Sequence, residues 1–97
     1  MFLQIVRFKS RLPAAEVAEL FGSRVPLYRE VPGLLQKYYL HYAASDEHGA
    51  VYVWESEDAM TAFRASDLAR SSGDVYQVEG AKDIRLADVL FTAHPAP

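Results

Sequence analysis

Val51-Tyr52-Val53-Trp54 sets apolar or aromatic side chains at four consecutive positions, and this feature most restricts what the chain can fold into. Successive side chains of a strand point to opposite sides of its sheet. A sheet with one face in water alternates apolar with polar residues. Here both parities are apolar. Near the carboxyl end, Ile84, Leu86 and Leu90 stand against Ala87, Val89 and Phe91 in the same way. Such a sheet needs a cover on each face. Helices of the same chain supply one cover, and a second copy packed sheet to sheet is the economical source of the other. The alternative is a monomer with scattered surface hydrophobics.

The rest of the chain supplies the strands and helices for that sheet. Residues 2–9 are rich in apolar and β-branched types and read as a first strand. Pro13 opens a helix, where its missing N–H costs nothing, and Val17, Leu20 and Phe21 follow at helical spacing. Gly22-Ser23 weakens this helix and Pro26 interrupts it, so a separate short helical piece is expected over 27–31, ending at Pro32-Gly33. Residues 34–43 form a second strand and 50–54 a third, with Ser45-Asp46-Glu47-His48-Gly49 as the turn of a hairpin. Ser56 has the chemistry of an N-cap, followed by a buried stripe of Ala59, Met60, Ala62 and Phe63. A further helical turn is expected over 66–72, broken at Ser72-Gly73-Asp74, then a short extended stretch over 75–78 and a last strand over 84–91. The order β-α-β-β-α-β, with right-handed crossovers, gives a ferredoxin-like α+β fold: a four-stranded antiparallel sheet with its helices on one face. One domain is expected over 1–93, with a flexible tail over 94–97.

Composition removes several classes of function. The 97 residues contain no cysteine, which excludes disulfides, thiolate nucleophiles and thiol metal sites. A net charge of −3, with lysine and arginine scattered, argues against nucleic acid as a partner. The apolar run at the amino terminus has no basic segment before it and is interrupted by Gln4 and Arg7. It is expected to be neither a signal peptide nor a membrane span, and a cytoplasmic location is the default. No P-loop, Gly-x-Gly-x-x-Gly or Gly-x-Ser-x-Gly pattern is present.

What remains is aromatic and polar chemistry on the middle strands. Alternation puts Lys37, Tyr39 and His41 on one side of the second strand and Gln36, Tyr38, Leu40 and Tyr42 on the other. With Tyr52 and Trp54 on the next strand, and Tyr28 and Tyr76 in flanking segments, these residues suit an enclosure for a flat aromatic ligand. The plainer reading is that tyrosines are good strand residues with a polar tip. His41, the one histidine on a regular element in this reading, is the candidate general base. His48 falls in the turn beside Asp46 and Glu47, where the spacing gives no shared face, so no metal site is expected. Gln4 and Gln36 interrupt apolar runs and need partners if covered. Arg7, Lys37, Arg64 and Arg85 are candidate anion partners, with solvated surface charge as the plainer role.

Three segments carry a family resemblance: Val31-Pro32-Gly33-Leu34-Leu35-Gln36-Lys37-Tyr38-Tyr39-Leu40, Gly49-Ala50-Val51-Tyr52-Val53-Trp54-Glu55-Ser56, and Asp58-Ala59-Met60-x-Ala62-Phe63-Arg64-x-Ser66. They resemble the YdhR-like monooxygenase family, of the dimeric α/β-barrel group that includes antibiotic-biosynthesis and quinol monooxygenases. Val75–Gly80 and Asp88–Phe91 look like the closing segments of such proteins, so the resemblance spans nearly the whole chain. It implies a homodimer with facing sheets and a pocket between sheet and helices. It also implies oxidation of a small aromatic, quinol- or anthrone-like substrate by molecular oxygen, without a cofactor. Under that resemblance His41 or Tyr39 is the base or phenolate-stabilising donor, and Tyr52 and Trp54 are stacking walls. Arg64 or Lys37 would stabilise a developing anion, and Gln4 would belong to the substrate pocket. Haem-degrading relatives use a histidine on the second helix. This chain has none between Glu55 and Ala93, so haem breakdown is not expected. The same barrel also supports a non-oxidative cyclase or isomerase using Tyr/His acid–base chemistry, and a non-catalytic ligand-binding dimer.

Overall fold

A computed structural model describes residues 1–95. Strand β1 (Phe2–Ser10) leads into helix α1 (Ala14–Arg29), then the hairpin of β2 (Leu34–Tyr42) and β3 (Glu47–Trp54). Two short helices, α2 (Glu57–Arg64) and α3 (Asp67–Val75), precede β4 (Val78–Asp88). The sheet order is β2-β3-β1-β4, with every neighbouring pair antiparallel. This is the expected ferredoxin-like arrangement, its second helical segment divided in two.

Register fixes which side chains share a face. Phe2, Gln4, Val6 and Phe8 of β1 stand opposite Trp54, Tyr52, Ala50 and His48 of β3, and all eight are buried. They pack with Val17, Phe21 and Tyr28 of α1, Met60 and Phe63 of α2, and Tyr76 just after α3. The helices therefore cover this face. Leu3, Ile5, Val51, Val53, Tyr38 and Leu40 occupy the opposite face, half-buried to exposed.

Four boundaries differ from the sequence reading, each for a physical reason. Helix α1 runs unbroken through Pro26. Its buried residues Val17, Phe21 and Tyr28 lie on both sides of the proline, and that packing outweighs a local cost of about 3 kcal/mol. Helix α3 likewise continues through Gly73 to Val75, capped at Ser66, whose hydroxyl accepts from the Ala69 N–H. Strand β4 starts at Val78 and stops at Asp88. Its pairing with β1 shifts register between Arg7 and Lys9, and Gly80, at φ 75°, supplies the left-handed residue that such a bulge needs. Strand β3 begins at Glu47, so the hairpin turn is only Ala43–Asp46 and His48 is a strand residue. Ser56 caps α2 as expected, accepting from the Ala59 N–H at 3.2 Å. Of the tail expected over 94–97, residues 96–97 lie outside the described residues. Among the described residues no helix is long and apolar enough to cross a membrane.

Candidate functional site

Lys37, Tyr39 and His41 pair across the hairpin with Tyr52, Ala50 and His48, and all point toward the helices. Strand β2 is the sheet edge, and α1 crosses above it. Between them lies a cavity of about 570 Å³ whose mainly apolar wall includes Ala18, Phe21 and Val25 of α1, with Tyr39, His41 and His48 of the hairpin. A second cavity of about 280 Å³ adjoins it across Val25 and Tyr39, and is lined by Tyr28, Arg29, Gln36 and Lys37. Together they form a groove along β2 of a size suited to a small molecule.

One end of the groove is an aromatic cage around Lys37. Its Nζ lies 3.2 Å from the ring centroid of Tyr28, 4.4 Å from Tyr39 and 4.6 Å from Tyr52. No carboxylate pairs with it among the described residues. Burial, with the Arg24 and Lys82 cations adding to it, pulls Lys37 from its ordinary 10.5 to about 7. The ring faces favour the ammonium form in turn. Burial also pushes the Tyr39 phenol up to about 12 and the Tyr52 and Tyr76 phenols well above their usual range. These hydroxyls therefore keep their protons at neutral pH. Those of Tyr39 and Tyr76 are buried with no hydrogen-bond partner among the described residues. Lys82, half-buried and donating to the Ser72 hydroxyl at 2.6 Å, is also lowered by burial.

The other end is the β-hairpin tip. His41 Nε2 lies 2.8 Å from an oxygen of Asp46, at φ 54° in the turn. The His41 and His48 rings face each other at 5.1 Å. This overturns the expectation that His48 shares no face with the residues around it. The shorter turn puts it in β3, directly opposite His41. Burial first, then the neighbouring His41, lowers the His48 pKa, so it is uncharged at neutral pH.

The sequence-derived candidates do not share a single cavity. Tyr39 and His41 line the larger cavity, and Lys37 and Tyr39 the second. Gln4, Tyr52 and the exposed Arg64 meet in a third space of about 140 Å³, beside Lys82. Trp54 is fully buried, stacked on Tyr52 with rings 2° from parallel, and its indole N–H donates to Gln4 Oε1 at 3.0 Å. That bond satisfies the buried Gln4, while Gln36 is on the open face, its side chain accepting from the Lys37 backbone N–H. Arg7 and Arg85 are on the open face, bonded to Glu47 and Asp83. Sequence reasoning missed His48, Arg24 and Lys82. His48 was detectable from the two-residue alternation shared with Ala50 and Tyr52. Arg24 and Lys82 reach the site through α1 and the β4 bulge, which leave no local signal.

No family model matches the chain, and no curated protein matches its sequence. Solved structures match it over nearly its whole length. A "putative antibiotic biosynthesis monooxygenase" from Deinococcus radiodurans superposes with a TM-score of 0.77 at 14% identity, covering 100% of each chain. SnoaB, described as a cofactor-independent oxygenase from Streptomyces nogalater, gives 0.76 at 18% identity, over 98% of this chain and 97% of that one. A protein of unknown function from Nitrosomonas europaea gives 0.78 at 17% identity, over 99% and 95%. The fold is that of the antibiotic-biosynthesis-monooxygenase-like proteins. In this fold, here, the groove lies between α1 and the β2 edge, with a lysine at one end and two imidazoles at the other.

Proposed function

We propose that this protein is a cofactor-independent oxygenase of a small phenolic substrate, bound as its anion in the groove beside Lys37. The observation that carries the reading is a largely buried lysine, caged by three tyrosines and close to Arg24 and Lys82, with no carboxylate paired to it among the described residues. An unpaired buried charge is costly unless something compensates it. A phenolate supplies the missing charge, and the tyrosine rings supply its stacking surface. The resemblance of the fold to SnoaB supports the same class of reaction.

The chemistry follows from the groups present. The neutral amine of Lys37 takes the acidic proton of a quinol- or anthrone-type substrate. The resulting carbanion, in resonance with its phenolate, gives one electron to dioxygen. Recombination forms a carbon–oxygen bond and a hydroperoxide. Loss of water leaves a carbonyl, so one oxygen atom stays on the substrate and the other leaves as water. Tyr39, its hydroxyl protonated and unpartnered, donates a hydrogen bond to the developing anion. His41 borders the same groove as a second proton acceptor at its far end. The working unit in this proposal is a cytoplasmic homodimer, its open sheet face covered by a second copy.

Oxygen consumption by chelator-treated protein tests the reading. Uptake with anthrone- or hydroquinone-type substrates is expected, lost in Lys37→Met and reduced in Tyr39→Phe. Absence of uptake across a panel of such substrates overturns it. Product formed equally well without oxygen would assign the groove to a cyclase or isomerase instead.

A further inference from the structure

His41, Asp46 and His48 bring three metal-ligating side chains to the hairpin end of the groove, where the proposed reaction leaves Asp46 and His48 without a role. Their donor atoms all lie within 4.8 Å of one another. The arrangement is built by backbone: antiparallel register sets His41 opposite His48, and the four-residue turn returns Asp46 over them. His48 is the unexplained member. It is 3% exposed, and its ring makes no hydrogen bond among the described residues.

We propose that His41, Asp46 and His48 form a binding site for a divalent first-row transition metal of the zinc, cobalt and nickel class. Two imidazoles and a carboxylate suit these ions better than magnesium or calcium, which prefer all-oxygen sites. Bonds of about 2.0–2.2 Å require the donors to draw inward around the ion. His41 and Asp46 are exposed and free to turn, and the ion replaces their mutual hydrogen bond with one bond to each. Three protein ligands leave at least one coordination position open. His41 and His48 line the larger cavity, so that position faces the groove. One carboxylate leaves the centre net positive, giving the groove a second end that attracts an anionic oxygen, opposite Lys37.

The inference goes beyond the oxygenase reading, and its test needs no turnover. Metal-stripped protein is titrated with cobalt(II), followed by its visible d–d absorption, and with zinc by calorimetry. One ion per chain is expected, at micromolar affinity or better, with no binding of magnesium. His41→Gln and Asp46→Asn are each expected to weaken cobalt and zinc by at least about tenfold while leaving the circular dichroism spectrum unchanged. Asparagine tolerates the left-handed backbone of position 46, so the second variant keeps the turn. His48→Gln adds a third arm if it folds, and the first two decide the matter if it does not. No saturable binding in the micromolar range overturns the proposal, as does equal binding by wild type and both variants.

Discussion

The two faces of the sheet handle charge in opposite ways. On the open face, Arg7 donates to Glu47 at 2.9 Å and lies over the Tyr42 ring, and Arg85 sits 3.5 Å from Asp83. On the helix-covered face, Lys37 and Lys82 are largely to half buried, with no carboxylate partner among the described residues. Pairing is thus found where water would screen the charges anyway, and is absent where the charges are costly. A fold selected only for stability would have placed an acidic residue or a methionine at position 37. The difference is the one that the proposed groove on the covered face and the proposed second copy on the open face would require.

The largest expected effect is at the core of the covered face. Trp54→Ala removes the stack on Tyr52 and orphans the Gln4 side chain, and should cost about 3–5 kcal/mol in denaturant unfolding. A loss below about 1 kcal/mol would show that this face is not the organised one. Val51→Glu tests the opposite side. If a second copy covers it, the variant shifts from dimer to single-chain mass in light scattering, while a wild-type protein already monomeric at micromolar concentration would refute the two-sheet barrel.

Lys37→Met comes next, and its sign is opposite to that of most core substitutions. The folded chain releases the Lys37 proton above about 7, whereas the unfolded chain holds it to 10.5. Between those values the unfolded state binds more protons, so this group makes stability rise with pH. Below about 7 both states are protonated and the full cost of the buried ammonium is present. Methionine removes that cost. The variant should gain about 1–3 kcal/mol near neutral pH and lose the pH-dependent rise, although oxygen uptake disappears. The smallest effect belongs to the exposed pair. Glu47→Gln should leave the unfolding midpoint almost unchanged, and the small change should vanish in high salt.

The fold was legible because its signals are local and repeated. Apolar and β-branched runs located the four strands, and the Ser56 cap with Met60 and Phe63 located α2. The errors fell where tertiary packing overrides local chemistry, at Pro26 inside α1 and Gly73 inside α3. The site was legible by face but not by cavity. Alternation correctly grouped Lys37, Tyr39 and His41, yet it could not show that Trp54 and Gln4 satisfy each other in the core. A turn of four residues rather than five decided the side on which His48 stands. Burial first, then Arg24 and Lys82 from elements distant in sequence, lowers Lys37, so the sequence alone offered it only as an anion partner.

The most direct test of the central claim is an NMR titration of Lys37, labelled with carbon-13 at Cε, in the free protein and with 2-naphthol bound. The account predicts a midpoint of about 7 in the free protein, moving upward when the bound phenolate supplies the absent negative charge. A midpoint at the ordinary lysine value of 10.5, unmoved by the ligand, would contradict it.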